Sequence, residues 1–161
     1  MLLGDDVIDA ATPVLKQMMG VYRRYPATIL AIQKVPRSQT GHYGIIDAKK
    51  IDDGVYLVKD LVEKPAPEEA PSNLAIIGRY ILTPEIFPAL ERTKPGKGGE
   101  IQLTDGLRQL MEKQPIYAYE FQGKRYDAGD KLGFLKATVE FGLKNAEFGN
   151  EFRSYLQKLK L

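Results

Sequence analysis

Apolar residues recur along this chain in two alternating patterns, and this alternation constrains the fold more than any other feature. Residues 28–35 form a near-continuous apolar run, which is typical of a strand buried on both faces. Residues 14–22 place apolar side chains at helical spacing instead. Segments of the two kinds follow one another to the end of the chain. The sequence therefore predicts an α/β fold with a mixed, mostly parallel sheet and C-terminal helices, in a single domain over residues 1–161.

Turn and cap residues set the limits of the predicted elements. A short apolar strand is expected to end at Gly4, and the Asp53-Gly54 pair predicts a hairpin turn. Helices are expected to begin at Thr12-Pro13, at Thr83-Pro84, at Thr104 and after Asp130. The remaining strands are predicted over residues 28–35, 43–47, 55–60, 74–82, 116–121 and 124–126. Gly142 and Gly149 predict breaks that divide the C-terminal segment into two helices.

Composition excludes several classes of function. The net charge of +2 is too small to favour nucleic acid or an anionic membrane as a partner. The absence of cysteine excludes disulfides and thiolate metal sites. No apolar run has the length of a membrane span, and the first residues lack the pattern of a signal peptide. We therefore expect a cytoplasmic protein.

Two acidic sites are expected where strands end. Asp5 follows the predicted strand at Gly4, and Asp127 follows the predicted strand at residues 124–126. Carboxylates at such positions can hold Mg²⁺ against substrate phosphates. The alternative is that these residues stabilise helix N-termini, and Asp130 fits that role better than a metal site. Two acidic sites in one α/β chain together favour a divalent-cation site.

Glu63-Lys64-Pro65 follows another apolar segment, and Gly44 interrupts a predicted strand. A glutamate carboxylate can accept hydrogen bonds from two neighbouring sugar hydroxyls, and a lysine after the end of a strand can meet a phosphate. The glycine is typical of a close approach by a ligand. Each feature also has a structural explanation, namely an exposed ion pair and a β-bulge.

Two further features favour structural roles. Residues 98–105 form a glycine-rich lead into a capped helix, with an interface as the alternative. His42, the single histidine, is expected in a surface loop, because one histidine cannot form a histidine-based metal site.

In their serial order, these segments resemble the bacterial UTP–glucose-1-phosphate uridylyltransferases over almost the whole chain. The resemblance rests on LGDD at residues 3–6, YGI at 43–45, VEKP at 62–65, APSNLAIIGRY at 70–80, GGEIQLTD at 98–105 and YDAGDK at 126–131. It implies an incomplete Rossmann-like nucleotidyltransferase sheet, in which the present chain contributes the sugar-phosphate-binding and C-terminal part.

The resemblance also implies roles for individual residues. Asp5 and Asp127 match the family's Mg²⁺-binding aspartates, Glu63 the residue that bonds glucose hydroxyls, and Lys64 the residue that faces the sugar phosphate. Gly44 and Ile76 match positions whose backbone lines the sugar pocket. The implied catalytic residues are thus Lys64, Asp5 and Asp127. The implied partners are glucose-1-phosphate, UTP and UDP-glucose.

The sequence departs from the family at one point. The family's glycine-rich nucleotide loop, with its Thr-Arg pair and Pro-Lys segment, has no counterpart here. The expectation is a C-terminal portion of such an enzyme, inactive or impaired as a free chain. The alternatives are a non-catalytic sugar-phosphate-binding module and an assembly fragment. The apolar edge at residues 1–4 predicts self-association into a homo-oligomer.

We predict that the purified chain gives little uridylyl transfer, because the nucleotide loop should neutralise most of the triphosphate charge. A coupled pyrophosphate-release assay with UTP, glucose-1-phosphate and Mg²⁺ measures this. Robust turnover by the purified chain would contradict the prediction.

Overall fold

The computed structural model describes residues 1–96 and 99–159, in two compact units. Of the described residues, the first unit contains 1–3 and 10–123, and the second contains 4–9 and 124–159. The predicted single domain is not tested by this division and stays a prediction. Among the described residues, no helix has both the length and the apolar character needed to cross a membrane.

Five strands of the first unit close into a barrel in the order β2-β5-β3-β4-β6. The barrel closes because β6 pairs with β4 on one side and with β2 on the other. The strands are β2 (Thr28–Lys34), β3 (Gly44–Asp52), β4 (Val55–Glu63), β5 (Leu74–Ile81) and β6 (Ile116–Glu120).

Strand β2 is buried as its apolar sequence predicts, and Ile29, Leu30 and Ile32 are fully inaccessible to solvent. Helix α1 (Val14–Arg24) packs against β2 and β5. Helices α2 (Ile86–Arg92) and α3 (Leu103–Met111) pack together, and α3 lies against β4. Apolar side chains of α2 and α3 join those of the barrel strands in one core.

The first three helices begin one to three residues from the expected positions. Helix α1 begins at Val14 and α2 at Ile86, and neither has a side-chain cap. Helix α3 begins at Leu103, so Thr104 lies inside the helix and is not its cap. The Thr104 hydroxyl donates to Glu63 instead, and the Thr83 hydroxyl accepts a hydrogen bond from Gln114.

The apolar face of α1 is narrower than expected. Val14 and Met18 are buried together with Val21, whereas Leu15, Met19 and Tyr22 are exposed. Only the stripe that faces β2 and β5 is covered in this unit.

The second unit contains the antiparallel strands β1 (Asp6–Asp9) and β7 (Lys124–Asp127), helix α4 (Lys131–Lys144) and helix α5 (Gly149–Lys158). Asp130 caps α4 as predicted, since its carboxylate accepts a hydrogen bond from the Gly133 amide at 2.8 Å. Two C-terminal helices are confirmed. The predicted break at Gly142 is wrong, because that glycine lies within α4 and the helix ends at Lys144, with Asn145 as its C-cap.

The expected strand at residues 1–4 is also wrong. Met1, Leu2 and Leu3 are 48%, 56% and 42% exposed, and Leu2 forms an isolated bridge with Arg79. The strand begins at Asp6 instead, because the guanidinium of Arg125 pairs with the Asp6 carboxylate and allows its burial. Asp5 therefore precedes a strand and does not follow one.

The mixed character of the sheet is confirmed, but the predicted predominance of parallel pairs is wrong for the described strands. Only β2 and β6 pair in parallel among them, and the other pairs are antiparallel. Strand β2 is apolar on both faces because α1 covers one face and the barrel core covers the other. A strand of a parallel sheet is also buried on both faces, so the two arrangements have the same continuous apolar sequence.

Candidate functional site

The first predicted site residues lie at the adjoining ends of two barrel strands. Gly44 begins β3 and Glu63 ends β4, and the two residues are directly opposite in the antiparallel register. A Cβ atom on Gly44 would lie 3.2 Å from Glu63 Oε2 and 3.3 Å from Ile76 Cδ1. The structure thus brings together three of the residues expected to bind the sugar.

Glycine at position 44 has a packing reason as well as a functional one. A methyl group there would contact the Glu63 carboxylate and the Ile76 side chain at distances that few real Cβ atoms show. Glu63 retains 20% side-chain exposure, so its carboxylate is held in the wall of the barrel and still reaches solvent. The arrangement is a partly shielded acceptor beside an apolar surface, which suits a polyhydroxylated ligand.

Thr104 belongs to this cluster, although its position predicted that it caps α3. Its hydroxyl donates a hydrogen bond to Glu63 Oε2, and its Oγ1 would lie 3.2 Å from a Cβ on Gly44. A threonine at the start of an apolar helix is typical of a cap, and no local signal indicates a partner 41 residues away. Gly98, which opens the same motif, lies outside the described residues.

Lys64 leaves β4 in a strained backbone conformation. It is the one described non-glycine residue with a positive φ, at 45°. Its amide donates to the Tyr43 carbonyl at 3.0 Å, which holds the turn, and its ammonium lies 3.9 Å from Glu63 Oε1. The side chain is 48% exposed. Strain of this kind is frequent at functional sites, because the surrounding structure must maintain it.

The acidic pair lies in the second unit, around Gly129. A Cβ on this glycine would be 3.2 Å from Asp127 Oδ1 and 3.2 Å from Asp5 Oδ2, so both carboxylates adjoin the same point. The Ala128 amide donates to the Asp5 carbonyl at 2.7 Å, and the Gly129 amide donates to Asp127 Oδ1 at 3.1 Å. These bonds fix the loop on which the two carboxylates converge.

Arg125 contributes a positive charge beside this pair. Its guanidinium donates to Asp127 Oδ2 at 3.0 Å and pairs with the buried Asp6. Arg125 thus pairs with both Asp6 and Asp127, and the carboxylates next to Gly129 are those of Asp5 and Asp127. The described residues contain no cluster of three or more acidic, histidine or cysteine ligands. Two carboxylates nevertheless fit Mg²⁺, which takes one or two together with substrate phosphate and water.

An open pocket of about 350 Å³ adjoins Gly129. Besides that glycine, it is lined by Ala128, Lys131, Phe134 and Leu135. The space therefore gives a ligand access to the loop that carries Asp127.

A second pocket, which is polar and has a volume of about 250 Å³, lies by the β3–β4 turn and the end of β6. Glu120 lines it and accepts hydrogen bonds from Lys34 at 2.9 Å and from the Tyr56 hydroxyl at 2.8 Å. The bond from Lys34 is the main cause that holds the pKa of Glu120 below its usual value. Since these groups satisfy one another, the pocket indicates no particular ligand.

His42 ends the 3₁₀ turn Arg37–His42 and is exposed, as expected. Its ring contacts Tyr43 edge-on, with centroids 6.4 Å apart.

Residues 1–142 match the family described as nucleotidyl transferase. UTP–glucose-1-phosphate uridylyltransferases from Staphylococcus epidermidis and Bacillus subtilis are 47% and 48% identical to this chain, over 99% and 98% of it. These alignments cover 56% and 54% of the two relatives, so the chain spans about half the length of the curated relatives it matches.

Solved structures agree with these matches. A UDP-glucose pyrophosphorylase complexed with UDP-glucose is 48% identical, with a TM-score of 0.86 over 89% of this chain and 55% of that one. A UTP-bound enzyme from Acinetobacter baumannii is 34% identical, with a TM-score of 0.87 over 99% of this chain and 55% of that one. The family resemblance expected from the six motifs is thereby confirmed.

We predict that Lys64→Gly is more stable than Lys64→Ala by about 1 kcal/mol, because glycine adopts a positive φ without the steric cost that alanine has. Both variants lack the ammonium group, so their difference isolates the backbone. Urea denaturation gives the two free energies of unfolding.

The same pair of substitutions at Lys59, an exposed residue within β4, is the matched control. There alanine should be the more stable variant, because glycine weakens a strand. An alanine variant at position 64 as stable as the glycine variant would contradict the prediction.

Proposed function

This chain belongs to the nucleotidyl transferase family, and we propose that it serves uridylyl transfer from UTP to glucose-1-phosphate, giving UDP-glucose and pyrophosphate. The observation that carries the proposal is the convergence of Gly44, Glu63 and Ile76 at the ends of β3 and β4. The names of relatives that share the fold support this choice of substrates.

Glu63 and Gly44 are proposed to recognise the sugar. An ionised carboxylate only accepts hydrogen bonds, and two neighbouring hydroxyls of a sugar are matched donors. The missing side chain of Gly44 lets the ligand approach the β3 backbone closely. The apolar Ile76 side chain closes the adjacent wall.

Lys64 is proposed to face the sugar phosphate as a point charge. Its ammonium is near Glu63, but about half of the side chain is exposed, so it remains available to an anion. The Glu63 carboxylate and the Lys64 ammonium belong to consecutive residues. The turn that holds Lys64 therefore also limits the distance between the group that binds the sugar hydroxyls and the group that binds the phosphate.

Asp5 and Asp127 are proposed to hold Mg²⁺ with the substrate phosphates. When bound, the ion would supply neutralisation of phosphate charge. The Gly129 amide and Arg125 orient the Asp127 carboxylate. The pair is held by backbone hydrogen bonds of its own loop, which favours a preformed site.

The proposed reaction forms one bond and breaks another at phosphorus. An oxygen of the glucose-1-phosphate phosphate attacks the α-phosphorus of UTP, and the bond to the departing pyrophosphate breaks. The protein performs no covalent step. Its residues position the two substrates and neutralise charge, which are the main sources of catalysis in such transfers.

A homo-oligomer in the cytoplasm remains part of the proposal. The exposure of Met1, Leu2 and Leu3 beside β5 supports self-association. The absence of cysteine supports a reducing compartment.

The second candidate is sugar-phosphate binding without catalysis. It is favoured by the fact that the residues of the Glu63 cluster lie together within one unit. Calorimetry with glucose-1-phosphate alone, beside the pyrophosphate-release assay, separates the two functions.

We predict that Glu63→Gln weakens glucose-1-phosphate binding at least ~10-fold, because hydrogen bonds to a charged acceptor are stronger than those to a neutral one. Isothermal titration calorimetry measures the change. Glu91→Gln, at an exposed position of α2, carries the same change of charge and should bind as the unmodified chain does. Equal affinities of the two variants would contradict sugar recognition by Glu63.

We predict that Mn²⁺, a paramagnetic substitute for Mg²⁺, broadens the amide NMR signals of residues 127–129. Asp127→Asn should reduce this broadening, because a neutral amide is a weaker ligand for a hard cation. Asp9→Asn is the matched control, since Asp9 lies at the far end of the β1–β7 pair. Unchanged broadening in Asp127→Asn would exclude Asp127 as a ligand.

A further inference from the structure

We propose that Thr104 is a positioning residue, which fixes the Glu63 carboxylate in the orientation that accepts the sugar hydroxyls. The inference rests on the function proposed above for Glu63. Thr104 lies near the C-terminal end of the glycine-rich motif at residues 98–105. The proposal therefore links this motif to ligand recognition.

The contact joins two elements of the first unit that are distant in sequence. The Thr104 hydroxyl donates to Glu63 Oε2, so one carboxylate oxygen has a fixed protein donor. The other oxygen, Oε1, lies 3.9 Å from the Lys64 ammonium and has no closer ion-pair partner among the described residues. The carboxylate is therefore anchored on one side and available on the other.

Thr104 is itself firmly placed. It is only 7% exposed, in the first turn of α3, and the same helix buries Leu107 and Leu110 in the barrel core. Its backbone thus moves only if the core repacks. A donor on such a rigid element restricts Glu63 better than a donor on a loop would.

Gly44 lies next to the hydrogen bond between Thr104 and Glu63. The point at which its Cβ would lie is 3.2 Å from both Glu63 Oε2 and Thr104 Oγ1, so the hydrogen-bonded pair borders this space. The close fit limits rotation of the carboxylate toward β3. An acceptor held in one orientation before binding loses less conformational entropy when the ligand arrives.

The restriction has a specific consequence for binding. Thr104 does not need to touch the sugar, and its effect should pass entirely through Glu63. Removal of the hydroxyl should therefore weaken glucose-1-phosphate binding only while Glu63 is present. This dependence distinguishes a positioning residue from a second ligand-binding residue.

The test is a double-mutant cycle with Thr104→Val, Glu63→Ala and the double variant, with glucose-1-phosphate affinity measured by calorimetry. Thr104→Val should lower the affinity about 10-fold in the presence of Glu63, and should have no further effect on Glu63→Ala. Thr104→Ser keeps the hydroxyl and should bind within about threefold of the unmodified chain.

Thr93→Val is the matched control. Thr93 is also a buried threonine of the first unit, and its hydroxyl donates to the Ala89 carbonyl at 2.9 Å. The substitution removes a comparable hydrogen bond in which Glu63 takes no part. It should lower stability without changing glucose-1-phosphate affinity, whereas a general loss of packing would affect both threonine variants alike.

A second double-mutant cycle needs no ligand. It compares the urea unfolding of the unmodified chain, Thr104→Val, Glu63→Ala and the double variant. Coupling between Thr104 and Glu63 in the urea midpoints is expected, because the hydrogen bond exists in the free chain. If the unmodified chain fails to bind glucose-1-phosphate while this coupling is present, the proposed function fails and the fixed orientation of Glu63 stands.

The positioning proposal is overturned by any of three results. These are additive effects in the urea cycle, additive effects on glucose-1-phosphate affinity, and failure of Thr104→Ser to restore the affinity lost in Thr104→Val.

Discussion

The antiparallel pairing of β3 with β4 determines which residues lie together at the end of the barrel that carries the candidate sugar site. It places Gly44 opposite Glu63 and leaves Lys64 as the first residue beyond the strand. A shift of one residue would turn Glu63 to the other face and separate it from both Ile76 and Thr104. The ladder shifts register twice between the Asp53-Gly54 turn and this pair, so the turn alone does not set the pairing. The buried apolar residues Ile45, Ile46 and Leu61 hold the register at this end. Core packing and the candidate sugar site thus depend on the same ladder.

The two candidate sites use different physical means to hold their carboxylates. Glu63 is restrained by a side-chain hydroxyl from α3 and by the missing side chain of Gly44. Asp127 is restrained by the amide of Gly129 and by the Arg125 guanidinium. The donor to Glu63 is thus a neutral hydroxyl. The side-chain donor to Asp127 is instead a charged guanidinium, at 3.0 Å.

Much of the secondary structure could be predicted, because it depends on local patterns. The apolar run of β2, the hairpin turn and the Asp130 cap each have a local physical cause. The errors concern features with a distant cause. The first strand begins at Asp6 because Arg125, remote in sequence, neutralises that carboxylate. The predicted predominance of parallel strand pairs was also wrong. Burial of a strand on both faces results equally from a parallel sheet and from a helix packed on a barrel strand.

By itself, the sequence determined the family, the order of the elements and the residues that carry the candidate chemistry, since motif order and residue type do not depend on how the chain is packed. Only the tertiary structure decided which of those residues meet. It brought Thr104 to Glu63 across 41 positions and placed Asp5 and Asp127 around Gly129. The physical reason is that such contacts are made between elements whose mutual packing is set by the core, and no short segment of sequence contains that information.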